Sequence, residues 1–144
     1  DDKHNAMGYN FKFTDLQAAV GLGQLHYLDK RIARMKKNHW LYNQEISDLP
    51  GLTILPFSEE EVPQWTDVLV EDREGLLEEF KKHNIDYRKF WFPIHSQIPY
   101  KLDDSKFPNS TKTSPKALWL ASAFTLEDED ILFVCSIIKK FLTK

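Results

Sequence analysis

The sequence predicts an α+β domain: a long N-terminal helix, then a small, mainly antiparallel sheet with helices packed on it. Three observations lead there. Leu16, Ala19, Val20, Leu25, Leu28, Ile32 and Met35 recur at spacings of three and four, the period of an amphipathic helix. Short apolar runs bounded by turn residues follow at 52–57, 64–71 and 85–91 and read as strands. Ile131, Val134, Cys135, Ile138, Phe141 and Leu142 form a second helical stripe near the end of the chain.

Each element has a local reason. Thr14 with Gln17 three residues later is a capping-box pattern, so the first helix starts there and runs to about Leu49. Gly21 and Gly23 are poor helix formers and read as packing glycines. Leu49-Pro50-Gly51 stops the helix, because proline cannot continue it and glycine accepts positive φ. Leu52–Phe57 and Gln64–Glu71 are the first two strands, with an acidic loop between them. Arg73–His83 is helical, with Leu76, Leu77 and Phe80 on one side and Asn84 as its terminator. Ile85–Trp91 is the third strand, and 92–113 is irregular, carrying Pro93, Pro99 and Pro108. Ser114-Pro115 starts a short helix to about Leu118, and Thr125 caps the last helix, whose first turn is acidic.

The chain has 144 residues, the size of one domain, and can bury a core without a disulfide or metal. Its single cysteine, Cys135, sits on an apolar helix face and reads as a buried structural thiol, which fits a reducing compartment and a cytoplasmic location. Nineteen basic against 22 acidic side chains, net −3, argue against a general nucleic-acid binder. No apolar run reaches the length of a membrane span. The opening DDKHNAMGYN lacks an initiator methionine and reads as though cut from a longer polypeptide.

The five histidines lack ligand-like spacing, so no metal site is expected, and no phosphate loop or nucleophile elbow is present. Two segments look able to meet a ligand. Gly8 to Thr14 leads into a helix N-terminus, where free amides favour an anion, and Asn10 and Lys12 add a carboxamide and a cation. The alternative is that its aromatics simply anchor the helix. Phe92 to Tyr100 holds His95, Gln97 and Tyr100 between two prolines, either as a ligand wall or as a packed turn with His95 satisfied internally.

At these segments the sequence resembles a known family. GYNFKFTDLQAAVGLGQLHYLDKR resembles the G-Y-N-[YF]-R-M-[TS]-D-[LI]-Q-A-A signature of the DegT/DnrJ/EryC1/StrS aminotransferases. FWFPIHSQIPYK is similar to that family's F-x-P-[LIM]-H-x-Q-x-x-Y segment, and LWLASAFTLEDEDILFVCSIIKKFL to its closing stretch. The resemblance implies the small C-terminal domain of the type I pyridoxal-phosphate aminotransferase fold, divided into an interface and cofactor-facing segment (1–13), a connecting helix (14–49) and a small α+β domain (50–144). It implies a homodimer that moves an amino group, with glutamate as donor, onto a nucleotide-linked keto-sugar. Asn10 would cross the dimer interface to the phosphate of the partner's pyridoxal phosphate. Tyr9, Lys12, His95, Gln97 and Tyr100 would face substrate.

Three departures stand out: Lys12 replaces an arginine, Phe13 a methionine and Ala121 a proline. The first keeps the charge but loses a bidentate fork. The FWFPIH and VCSIIKKFL variants lean toward members that aminate a 4-keto-6-deoxy sugar. The family's Schiff-base lysine lies upstream of the G-Y-N motif and no lysine here matches its context, so the chain alone is expected to be inactive. The competing expectation is a non-catalytic binding or dimerisation module derived from the family.

Overall fold

A four-stranded antiparallel sheet forms the centre of the computed structural model, which describes residues 3–8 and 13–143. Its strands are β1 (Leu52–Ile54), β2 (Thr66–Val70), β3 (Arg88–Lys89) and β4 (Ala117–Leu120), in the order β1-β2-β4-β3. Leu52 pairs with Val70, Val68 with Leu118, and Arg88 with Trp119. The period-two rule sorts β2 cleanly: Thr66, Val68 and Val70 are buried, Asp67 and Leu69 only partly. Val68, Val70, Leu118 and Leu120 point into the main core, which α2 (Leu28–Ile46), α3 (Arg73–Lys82) and α5 (Asp128–Leu142) complete.

The α5 stripe is buried as its spacing predicts, through Ile131, Val134, Cys135 and Ile138, with Phe141 and Leu142 packed beside them. Asp128 takes both Arg34 and Lys37 at 2.6 Å, and Lys139 meets Glu45 at 2.5 Å, so ion pairs join α2 and α5 near each end. Asn84 ends α3 with φ 55°, the left-handed conformation asparagine tolerates.

The expected single N-terminal helix is two helices. The Thr14/Gln17 capping box is present in both directions and starts α1 (Asp15–Leu25). The chain then turns at His26 and Tyr27, whose N–H donates to the Gln24 carbonyl at 3.0 Å, and α2 begins at Leu28. The glycines explain part of the break, since each costs about 1 kcal/mol of helix propensity just ahead of it. No packing restores that loss: a Cβ at Gly21 or Gly23 would meet nothing within 4 Å, and α1 has no buried residue. Among the described residues, these glycines pack against nothing. The stripe that enters the core lies further on, at Asn38, Leu41, Tyr42 and Ile46.

Three further expectations are corrected. Residues 115–118 are not a helix; a single 3₁₀ turn at Ser114–Lys116 leads into β4, which is buried along its whole length. A short apolar run inside a sheet shows no alternation, so its period is silent about its state. Thr125 does not cap α5. Glu127 does, accepting from the Asp130 N–H while its own N–H donates to Asp130 at 2.9 Å. The third strand pairs only at Arg88–Lys89, and the irregular 92–113 region contains 3₁₀ turns at 94–96, 98–100 and 104–106 followed by α4 (Pro108–Thr113).

Candidate functional site

The loop leaving β3 carries the three described candidate side chains. Phe90, Trp91 and Phe92 lead out of the strand, Pro93 sets the entry to the 94–96 turn, and Ser96 Oγ returns a 2.7 Å hydrogen bond to the Pro93 carbonyl. That turn drives His95 inward to 6% exposure. Its ring stacks on Phe107 at 4.5 Å and 12°. Nε2 lies 3.3 Å from Thr111 Oγ1 and 3.4 Å from Asp104 Oδ1, and the His95 carbonyl accepts from the Leu102 N–H. The imidazole is therefore engaged within the chain, as in the packed-turn reading, while also forming part of a cavity wall.

That cavity measures about 270 Å³ and is lined by Arg73, Lys89, Phe92, His95, Asp104 and Thr111 among others. Arg73 is fixed by the carbonyls of Ser114 and Ala117 at 3.0 and 3.1 Å and by Glu74. Lys89 reaches Glu74 Oε2 at 2.7 Å, and this hydrogen bond is the main cause holding the Glu74 carboxyl below its usual range. The wall thus carries two cations and an imidazole, with Glu74 bridging the cations and Asp104 beside His95. Arg73, Lys89, Asp104 and Thr111 were not singled out from sequence. Arg73 reads there as a helix start and Lys89 as the polar face of a strand, and only the tertiary fold joins them to His95.

Gln97 is buried to 8% exposure and its Oε1 accepts the backbone N–H of His4 at 2.8 Å. Lys3 Nζ lies 5.2 Å over the Phe92 ring. Lys3 and His4 thus rest on the 92–100 loop. Tyr100 is half exposed, and its N–H donates to the Gln97 carbonyl. Tyr9, Asn10 and Lys12 lie outside the described residues.

An α+β layer with a four-stranded antiparallel sheet and a helix-led N-terminus matches part of the fold of solved sugar aminotransferases. The structure of S. venezuelae DesV in complex with a ketimine intermediate superposes with TM-score 0.87 at 22% identity, over 99% of this chain and 40% of that one. DesI in the presence of its TDP-sugar product gives 0.83 at 24%, over 95% and 38%. The DegT/DnrJ/EryC1/StrS aminotransferase family matches residues 1–139, and the chain belongs to that family. The GDP-perosamine synthase of Vibrio cholerae is 27% identical over 96% of this chain and 40% of that protein. The dTDP-4-amino-4,6-dideoxy-D-glucose transaminase of Escherichia coli is 32% identical over 65% of this chain and 27% of that protein. The chain spans about two-fifths of the length of the first of these curated relatives.

Family members depend on pyridoxal phosphate, and one Bacillus subtilis relative is named for it. The described residues do not fit that cofactor as a covalent site. None of their lysines is buried, and Lys37, Lys82, Lys89, Lys116 and Lys139 are held by carboxylates. A lysine that carries a carbonyl cofactor is activated by desolvation or by neighbouring cations. Among the described residues no group of His, Cys, Asp and Glu can hold a metal ion, and no helix is long and apolar enough to cross a membrane.

Proposed function

We propose that this chain is the C-terminal part of a pyridoxal-phosphate-dependent aminotransferase acting on a nucleotide-linked keto-sugar in amino-sugar biosynthesis. The observation that carries this reading is the family match across 1–139, joined to relatives named as perosamine synthase and amino-sugar transaminases. The lack of a buried lysine among the described residues supports the further statement that the 144 residues alone do not turn over substrate. The whole enzyme would be a cytoplasmic homodimer using glutamate as donor and making amino sugars for surface polysaccharide or a related glycoconjugate.

Within it, Asn10 would donate to the phosphate of the neighbouring subunit's cofactor, a charge-assisted bond worth ~1.5–3 kcal/mol. Tyr9, Lys12, His95, Gln97 and Tyr100 would face the sugar nucleotide, beside the cations Arg73 and Lys89. The 92–100 loop supports this because it carries His95 on a cavity wall and joins Gln97 to His4.

A second reading, a non-catalytic module that binds a partner or a nucleotide sugar, rests on the same lack of a buried lysine among the described residues. One experiment separates the two. The coding sequence upstream of Asp1 is read, and the protein it encodes is assayed with glutamate and a nucleotide-linked 4-keto-6-deoxy sugar. Turnover by that protein, absent from the 144-residue chain, supports the enzyme. A start codon just before Asp1 with no turnover supports the module. In an active enzyme Asn10→Ala should loosen the cofactor ten- to a hundredfold, and unchanged cofactor retention would remove Asn10 from the site.

A further inference from the structure

One short run of chain grips His95 with three different side chains. The N–H of Phe107 donates to the Asp104 carbonyl at 3.0 Å, and the N–H of Thr111 to the Phe107 carbonyl at 3.0 Å. Spaced three and then four apart along these turns, Asp104, Phe107 and Thr111 fall on one side of the run. All three meet the imidazole. Asp103 sets the start, its carboxylate accepting the Ser105 N–H at 2.8 Å, and Pro108 opens α4 within the run. Phe107 stacks on the ring and fixes its plane. Thr111 Oγ1 and Asp104 Oδ1 both approach the same ring nitrogen, Nε2, at 3.3 and 3.4 Å.

The chemistry of those two oxygens decides where the ring proton sits. An ionised carboxylate only accepts. The Thr111 hydroxyl has one proton, and the Asp104 carbonyl lies 3.3 Å from it as acceptor. Both side-chain oxygens then accept from Nε2–H. The opposite arrangement, with Thr111 donating to a bare Nε2, would set a ring lone pair against the carboxylate 3.4 Å away, which is repulsive. In a neutral imidazole one nitrogen donates and the other accepts, and the bond made at one sets the state of the other. Nδ1 has no hydrogen-bond partner among the described residues, and His95 lines the 270 Å³ cavity. A ligand group that meets a bare Nδ1 must bring the proton itself.

We infer that Asp104 and Thr111 are positioning residues that lock His95 as its Nε2–H tautomer, so that Nδ1 accepts a hydrogen bond from a ligand hydroxyl. That the hydroxyl belongs to a nucleotide-linked sugar rests on the proposed function, but the tautomer does not.

The test is long-range proton–nitrogen NMR on the 144-residue chain with nitrogen-15 histidine, at pH 8, where an ordinary imidazole is neutral. His95 should show a protonated Nε2 and a bare Nδ1. In the double variant Asp104→Ala/Thr111→Val, with an unchanged circular dichroism spectrum, both nitrogens should move toward the averaged shifts of free histidine. Thr111→Ser, which keeps the hydroxyl, should retain the wild-type pattern. Thr111→Val alone should move part of the way, and it carries the test if the double variant unfolds. The inference is overturned if wild-type His95 holds its proton on Nδ1, exchanges freely between tautomers or is protonated on both nitrogens. It is also overturned if the folded variants keep the wild-type pattern.

In the whole enzyme the double variant should raise KM for the keto-sugar roughly five- to tenfold, with kcat little changed and a normal cofactor spectrum, while Thr111→Ser should not. An unchanged KM in an active enzyme overturns the acceptor role. A whole protein without turnover fails the aminotransferase reading and the sugar hydroxyl with it, whereas the tautomer, read without substrate, is decided by the spectra alone.

Discussion

The backbone N–H of His4 donates to Oε1 of Gln97 at 2.8 Å, joining positions 93 residues apart in the chain. Gln97 is buried where this bond is made, and the Phe92 ring beneath Lys3 gives the same segment a second hold.

Gln97→Leu keeps the volume and removes the acceptor. One such bond contributes about 0.5–1.5 kcal/mol, so amides near His4 should exchange with deuterium roughly three- to tenfold faster while α5 keeps its protection. Unchanged exchange near His4 would mean the segment is held by other contacts.

His95 separates packing from recognition through two variants. His95→Phe keeps a ring to stack on Phe107 but deletes the Thr111 and Asp104 contacts, whereas His95→Ala also leaves a void. Thermal unfolding should show the alanine variant losing about 2–4 kcal/mol and the phenylalanine variant roughly half of that or less. In the whole enzyme His95→Phe should raise KM for the keto-sugar about tenfold with a normal cofactor spectrum. An unchanged KM would confine His95 to packing.

Asp128 makes acid sensitivity local. Lys37 first, then Arg34, hold its carboxyl below the ordinary value of 3.8. A depressed carboxyl contributes stability that is present above the unfolded value and lost as pH falls through the folded one. Asp128→Asn should therefore lower Tm at neutral pH and flatten its decline below pH 4 relative to wild type. Parallel acid limbs in the two proteins would show that the ion pairs contribute nothing measurable.

Cys135 should be inert while folded. Burial, aided by the Glu45 charge, pushes its thiol from 9.0 up to about 12. Three pH units (12 minus 9.0) reduce the thiolate at pH 8 about a thousandfold. Alkylation by iodoacetamide should then track unfolding, being negligible in buffer and fast in urea. Rapid alkylation in buffer would contradict the burial.

Gly75 tests the start of α3. Its N–H donates to the capping Asp72 carboxylate at 3.0 Å, and a Cβ there would press on Asp72 Oδ2 and lie 2.9 Å from Phe141 Cζ. Gly75→Ala should lose about 1–2 kcal/mol in urea unfolding despite alanine's better helix propensity. A stabilised variant would show that both neighbours move aside freely.

Periodicity and caps were legible wherever a residue's fate depends on near neighbours. Ile131, Val134, Cys135 and Ile138 declare α5 because one face of an isolated helix must be covered, and Thr14 with Gln17 declares the start of α1. β4 was not legible, since a strand flanked by two others is apolar on both faces and has no alternation to read. The turn at Tyr27 escaped for the opposite reason: the stripe continues through it, and only the lack of packing along α1 shows that its apolar residues serve no core here. His95 and Gln97 were readable as a pair in one loop. Arg73 and Lys89 were not, because the fold alone carries a helix start and an edge strand to the same wall.

The sheet ends on β3, where only Arg88 and Lys89 pair, both of them exposed cations. An edge strand is where one protein chain can recruit another into a growing ribbon of hydrogen bonds. A newcomer here would find two residues of template, too little to register against. The short strand therefore leaves a further strand little backbone to pair with on that side of the sheet.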